Sequence, residues 1–283
     1  MAGETLLNFE PYIRLSAFFG IFAIMASLEL IAPRRPLRVS KKLRWGSNLG
    51  IVVLNTVVAR LVLPMAPIIF ATLCVERGWG VLNLIEWSGW TEIVLAVILL
   101  DFVIWLQHVM VHAVPLFWRL HRMHHTDLDY DVTTGARFHP IEILLSLGIK
   151  FSVIALIGAS PVAVLLFEVI LNAMAMFNHA NVRLPLGLDK VLRILLVTPD
   201  FHRVHHSIIA QETNSNYGFN LSIWDRLFGT YIAQPEKGHK GMTIGLPIFR
   251  DPAEQRLDKM LTQPMRESPP SKNLEAKSLR PKP

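Results

Sequence analysis

"IVLAVILLDFVIWLQHVMVH", residues 93–112, is the stretch that decides how this chain is read. It opens as an unbroken aliphatic run, Ile93–Leu100, and then takes on Asp101, His108 and His112. A run of about 20 predominantly apolar residues is enough to cross a bilayer as a helix. His108 and His112 are four positions apart, so on that helix they share one face. The text therefore describes a membrane helix that ends in a pair of imidazoles.

The same kind of spacing recurs twice outside the apolar runs. "HRMHH" occupies 121–125 and "HRVHH" occupies 202–206. On a helix, each string puts three imidazoles on one face. With His139 and His179, ten of the eleven histidines fall between positions 108 and 206. A lone histidine is ordinarily a satisfied core or surface residue. Ten at helix-face spacings beside a membrane are not, because unpaired imidazoles are costly there. His239, in "PEKGHKG", is read as a solvent-exposed loop residue.

Composition agrees with a membrane protein. Of 283 residues 52% are hydrophobic and only 18% charged, against about 25% charged in an ordinary soluble domain. Cys74 is the single cysteine, so an intramolecular disulfide or a cysteine-based metal site is excluded. The basic residues Arg34, Arg35, Arg38, Lys41, Lys42 and Arg44 lie between two apolar runs. They are read as a topology signal and not as a nucleic-acid surface. The first twelve residues carry Glu4 and Glu10 and no Lys or Arg. A secretory leader starts basic, so the first apolar run is expected to be a retained span.

The candidate spans are Leu15–Ile31, Leu49–Leu73, Ile93–Val111 and two arms, Ile141–Ile157 and Val162–Phe177. Arg60, Pro64 and Pro67 predict a kink or a re-entrant pair in the second. Gly158-Ala159-Ser160-Pro161 reads as the tip of a helical hairpin between the arms. With the basic stretch 34–44 in the cytoplasm, both HRxHH strings fall on the cytoplasmic side. The expected fold is all-α: a multi-pass integral membrane helical bundle with a cytoplasmic histidine-rich helical cap. Its parts are an N-terminal transmembrane region, 1–92, and a histidine-box region, 93–235, containing the hairpin 141–177. A cytoplasmic extension, 236–262, and a disordered tail, 263–283, follow.

Ten histidines exceed what one zinc ion takes. They suit two metal ions with four or five nitrogens each. Imidazole accepts iron, zinc, copper or nickel. Soluble di-iron bundles pair Glu-x-x-His motifs, and the chain's only such pair, Glu236 and His239, lies in a polar loop. An all-nitrogen pair of irons is the best candidate.

HxxxH at 108–112 and HxxHH at 121–125 and 202–206, with "DFVIWLQHVMVH" and "WDRLFGTY", resemble the fatty acid hydroxylase / sterol desaturase superfamily of membrane di-iron enzymes. The resemblance covers roughly Ile93–Tyr231. It implies an oxidoreductase, a lipid hydroxylase (monooxygenase) or desaturase, with O2 as co-substrate and a membrane lipid (sterol, fatty acyl or ether lipid) as substrate. It implies two iron ions held by His108, His112, His121, His124, His125, His139, His179, His202, His205 and His206. It also implies an external cytochrome- or ferredoxin-type electron donor, since no fused cytochrome domain is visible. The chemistry agrees: an unactivated C–H bond yields to no side-chain base, so a metal-bound oxidant must carry that step. A membrane metal transporter or a zinc-dependent membrane hydrolase is the alternative.

Other residues carry weaker expectations. Asp101, two turns before His108, is a candidate to orient a ligand histidine, or else to pair with Arg60. Asn178 and Asn181 flank His179 and could orient it. Arg122 and Arg203 hold the same place in the two strings and are expected on the solvated side, holding carboxylates. For Arg60 and Lys150 in mid-segment, snorkelling or ion pairing competes with a functional role. Trp224, Phe228 and Tyr231 are read as an interfacial aromatic anchor.

Overall fold

A computed structural model describes residues 6–87 and 89–267. Five stretches are long and apolar enough to cross a membrane. Four are single helices: α1 (Glu10–Ile31), α4 (Trp90–Ala113), α6 (Pro140–Ile157) and α7 (Pro161–Asn178). The fifth, Lys41–Leu84, is interrupted. It holds α2 (Lys41–Val62), a break around Pro64, and the ten-residue α3 (Pro67–Glu76). This is the kink that the prolines predict, since proline removes a helix donor and clashes with the preceding turn. Among the described residues there is no extended strand, only three isolated bridges.

The helices present their apolar side chains outward. Leu15, Phe19 and Ile24 of α1 and Val53, Val57 and Leu61 of α2 are exposed. Apolar surface on this scale is what a lipid-facing bundle shows and what a water-soluble monomer avoids. The buried core instead joins α3, α4 and α7 through Ala71, Cys74, Ala96, Leu100, Ala163 and Phe167. Helix α7 is the central post, packing on α1, α3 and α4. Small residues at these contacts let the backbones approach closely.

The hairpin forms as the sequence implies. Gly158 ends α6 in the left-handed conformation, φ 72°. The Ser160 side chain then caps α7 by accepting from Ala163 N–H. At 18 residues each, the arms are about 27 Å long at 1.5 Å per residue, close to the hydrocarbon thickness. Glu92 of α4 accepts from Ser160 and ties this tip to the start of α4.

All histidine-bearing segments lie at the other end. Pro115 splits α4 from α5 (Pro115–His125), which carries the first string. The second string closes α9 (Pro199–His205), which follows the short α8 (Leu186–Leu192) and starts with a Thr198 cap and Pro199 at its first position. The cap is fastened by buried ions. Arg44 of α2 is fully buried and pairs with Asp127 and Asp131. Glu29, at the end of α1, accepts from the backbone of Val132 and Asn181. Arg203 pairs with Asp200, and Arg122 donates to the carbonyls of Gln263 and Arg266. Both arginines are buried and so not on the solvated side, and only Arg203 holds a carboxylate. The expected tail begins too early: Gln263–Met265 is a short 3-10 helix in which Gln263 is buried against Thr126. The rest of that tail, 268–283, lies outside the described residues.

Candidate metal centre

Nine of the ten predicted histidines converge: seven from α4, α5 and α9, with His179 just after α7 and His206 just after α9. They resolve into two sets. His108, His112, His121, His125 and His205 form one; His124, His179, His202 and His206 form the other. Within each set the ligand nitrogens all lie within 4.8 Å of one another. Each HRxHH string serves both sets, so the strings are two walls of one centre.

The ring tautomers follow from the partners. His108 Nδ1 sits 2.7 Å from the carbonyl of Tyr217, His205 Nδ1 2.7 Å from that of Ser215, and His179 Nδ1 2.8 Å from that of Ala175. His121 Nδ1 lies 2.6 Å from Glu142 Oε1, and His112 Nδ1 3.2 Å from Asn214 Oδ1. These oxygens only accept, so each Nδ1 carries a proton, and in a neutral ring the lone pair is then on Nε2, free for a metal. The Nε2 atoms of His108 and His121 face each other at 3.2 Å. A cation between two such lone pairs would be bound by both. His202, His205 and His206 likewise have buried Nε2 atoms with no hydrogen-bond partner among the described residues. A buried acceptor without a donor is costly, and metal ligation removes the cost.

Burial, reinforced by the neighbouring imidazoles, holds His124, His125, His202, His205 and His206 far below the ordinary histidine range. Burial also pushes His179 down to about 4. Near neutral pH these rings are uncharged, the form that binds metal. The residues present therefore fit two metal ions, with five and four nitrogens on offer.

His139 is not among them. It caps α6: its Nδ1 accepts from Ile141 N–H, and its Nε2 lies 3.3 Å from the carbonyl of Leu261. With both nitrogens engaged, it has no lone pair for a metal. His239 is buried rather than exposed, 3.5 Å from Asp200, and it too stands outside the two sets.

The expected orienting residues act differently. Among the described residues Asp101 bonds to no histidine and no arginine; it accepts from Trp224 Nε1 at 2.8 Å and from Leu221 N–H. Asn178 donates to the carbonyl of Phe219, and Asn181 holds both backbone groups of Arg35. The orienting work falls to Glu142 and to the 214–217 loop. Asp225 fixes that loop by accepting from Tyr217 N–H, Gly218 N–H, Trp105 Nε1 and Thr230 Oγ1. Glu142 and Asp225 escaped sequence reasoning. "WDRLFGTY" contained the signal, an acid enclosed by aromatics. Those aromatics do not form a free anchor: Trp224 and Phe228 pack on Phe102 of α4, and Tyr231 stacks on Phe201.

A cavity of about 900 Å³ opens from His108, His121 and His124 into the bundle. It runs between α1, α2, α4, α6 and α7, past Leu147, Leu171 and Phe151. Drug-sized ligands occupy spaces of roughly 300–1,000 Å³.

Fold and site together define a membrane-embedded helical protein with two clustered histidine sets, each able to hold a metal ion, at the inner end of a cavity. Comparison with known proteins makes this specific. The family described as "Fatty acid hydroxylase" matches residues 93–230, and that region of the chain belongs to the family. It is 31% identical to ornithine lipid hydroxylase OlsE of Rhizobium tropici over 53% of this chain and 44% of that protein. It is 35% identical to human alkylglycerol monooxygenase over 53% of this chain and 32% of that protein. With methylsterol monooxygenase 2-2 of Arabidopsis thaliana it shares 26% over 62% of this chain and 64% of that protein. The chain thus spans less than half the length of the first two relatives. No solved structure matches.

Proposed function

We propose that the protein hydroxylates a membrane lipid, using O2, two histidine-held irons and electrons from an external cytochrome- or ferredoxin-type donor. One observation carries this reading: nine imidazoles, split five and four, stand at the end of a lipid-sized cavity. His108, His112, His121, His125 and His205 would hold one iron, and His124, His179, His202 and His206 the other. Bound iron supplies the oxidising power that an unactivated C–H bond requires and that no side chain has. The protein's own groups do the rest. Glu142 and the carbonyls of Tyr217, Ala175 and Ser215 fix the ring orientations. Phe138, stacked on His124 with ring centroids 4.7 Å apart, and the cavity's apolar walls hold hydrocarbon beside the histidines and keep water away. The relatives named as hydroxylases and monooxygenases favour hydroxylation over desaturation.

A transporter would keep its ligands near the bilayer midplane, whereas these lie at the bundle's end. A zinc hydrolase has a free carboxylate base and about four ligands; here Glu142 is committed to His121 and one set offers five nitrogens.

We place this end in the cytoplasm, on the weight of Arg34–Arg44 and Arg119–Arg137. With Cys74 buried, Lys237→Cys should react with an impermeant maleimide only after cells are opened, and Arg77→Cys in intact cells. The decisive experiment on activity is lipid mass spectrometry of cells with and without the gene, with His124→Ala as control. A lipid heavier by one oxygen, absent from the variant, is expected. A lipid lighter by two hydrogens would mean desaturation. Stoichiometric zinc with hydrolytic turnover and no oxygen uptake would overturn the reading.

A further inference from the structure

The cavity does not end in hydrocarbon. Its far part is lined by Glu10 and Arg14 of α1, Arg60 of α2, Lys150 of α6 and Glu168 of α7. Lys150 and Glu168 lie near the middle of their helices, where an ionised side chain is costly and marks function by default. Glu168 is 4% exposed and takes two cations, Arg14 Nη1 at 2.7 Å and Lys150 Nζ at 2.7 Å. Arg14 Nη1 also meets Glu10 at 3.1 Å.

A clamp that only joined helices would be closed and neutral, and this group is neither. It sets three cations, Arg14, Lys150 and Arg60, against two carboxylates, Glu10 and Glu168. Arg60 has no hydrogen-bond or ion-pair partner among the described residues. Arg14 uses only Nη1, and Lys150 makes one bond of the three its ammonium can donate. Both Glu168 carboxylate oxygens are already taken. Among the described residues the site thus has spare N–H donors and a net positive charge, with Lys150 and Glu168 largely buried and Arg60 exposed. An anionic, oxygen-rich group supplies what is lacking.

Position links this end to the histidines. On α6 the cavity face runs Glu142, Ser146, Lys150 at intervals of four. Glu142 touches His121, and the eight residues to Lys150 span about 12 Å at 1.5 Å per residue. The wall between carries Ile143, Leu147 and Leu171.

We propose that Arg60, Lys150 and Arg14 form a headgroup site for an anionic amphiphile. Its carboxylate or phosphate is held at the far end of the cavity while its hydrocarbon lies against the histidines. This rests on the lipid-hydroxylase reading and narrows it: the substrate is a charged lipid whose hydrocarbon spans the stretch between the cationic group and the histidines.

Binding can be read without turnover, by native mass spectrometry of the full chain with palmitate, phosphatidic acid and hexadecanol as probes. At least one anionic probe is expected to bind tenfold or more tightly than hexadecanol. Palmitate alone would mark a carboxylate lipid, and phosphatidic acid alone a phosphate lipid. Arg60→Met should abolish the preference and Arg60→Lys largely keep it. Because Arg60 has no partner among the described residues, its loss leaves every ion pair there intact, whereas Lys150→Met leaves Glu168 with Arg14 alone. Equal binding of hexadecanol, or a preference intact in both Arg60→Met and Lys150→Met, overturns the proposal. If anionic binding behaves as expected but no lipid gains oxygen, the activity reading fails and the headgroup site stands. If neutral and anionic lipids are oxygenated alike and Arg60→Met changes nothing, the reverse holds.

Discussion

His121 shows how a single ligand is prepared. Its Nδ1–H goes to Glu142 at 2.6 Å and its Nε2 faces His108. A carboxylate behind a ligand fixes the ring and raises its basicity, and its loss costs about 10–100-fold in metal affinity. Glu142→Gln should weaken iron retention by that order in a chelator competition. Glu142 ligates nothing, so full retention would show that it does not orient His121. His139 gives the opposite test. His139→Ala should keep both irons by elemental analysis and lose about 1 kcal/mol of stability through the missing cap, whereas His124→Ala should lose metal. Iron lost equally from both would return His139 to the ligand set. Eight of the others were legible because spacings of three and four fix a helical face. His139 and His179 stand just before and just after the hairpin, and only His179 joins a set. The Pro140 that follows His139 was the neglected sign, since a residue before a first-turn proline is where a cap sits. His239 gave no local signal, because Asp200, which buries it, is far away in sequence.

At the scale of elements, the centre depends on the short connection 214–217 as much as on helices. That connection offers Asn214, the Ser215 carbonyl and the Tyr217 carbonyl to three histidines. It has no regular structure of its own; Asp225, fully buried, holds it through two backbone N–H groups and two side chains. Asp225→Ala would strand these donors, each costing about 1–3 kcal/mol when buried unpaired. We expect a loss of about 2–4 kcal/mol in unfolding experiments, with iron affinity falling although Asp225 lies outside the two ligand sets. Undiminished iron affinity in a destabilised Asp225→Ala protein would confine Asp225 to folding. The amphipathic elements were readable because periodicity is local. This loop was not, since its order comes from hydrogen bonds that close only after α4 and the 222–230 segment meet. Asp101 belongs to the same junction: its acid sits in an apolar span to receive Trp224 and Leu221, so its cost was visible in sequence and its partner was not.

Over the whole molecule, charge placement carried the topology, and burial then gave the charges further work. Arg44 counted as one more basic residue of a cytoplasmic stretch, yet it is the buried partner of Asp127 and Asp131. Burial alone would raise Asp127, but the Arg44 guanidinium holds it down to about 2. Asp127 therefore stays ionised through mild acid, and the histidines fail first. Burial lowers His179 to about 4 and holds the rings of His124, His125, His202, His205 and His206 well below the ordinary histidine range. In the unfolded chain each titrates near 6.5. Between those values the unfolded state binds protons that the folded state refuses, so stability rises with pH and is lost as pH falls. The slope is about 1.4 kcal/mol per pH unit for each such histidine. For His179 the loss begins near 6.5, unfolds over the interval down to about 4 and is complete below it. Metal-free protein in detergent should therefore show a melting temperature that drops steadily from pH 7 to pH 5. Iron-loaded protein should resist until the metal leaves, because ligation stabilises the same neutral rings. A metal-free melting temperature that stays level across that range would mean that the histidines are open to water and protonate in the folded protein, and the buried two-set centre would be wrong.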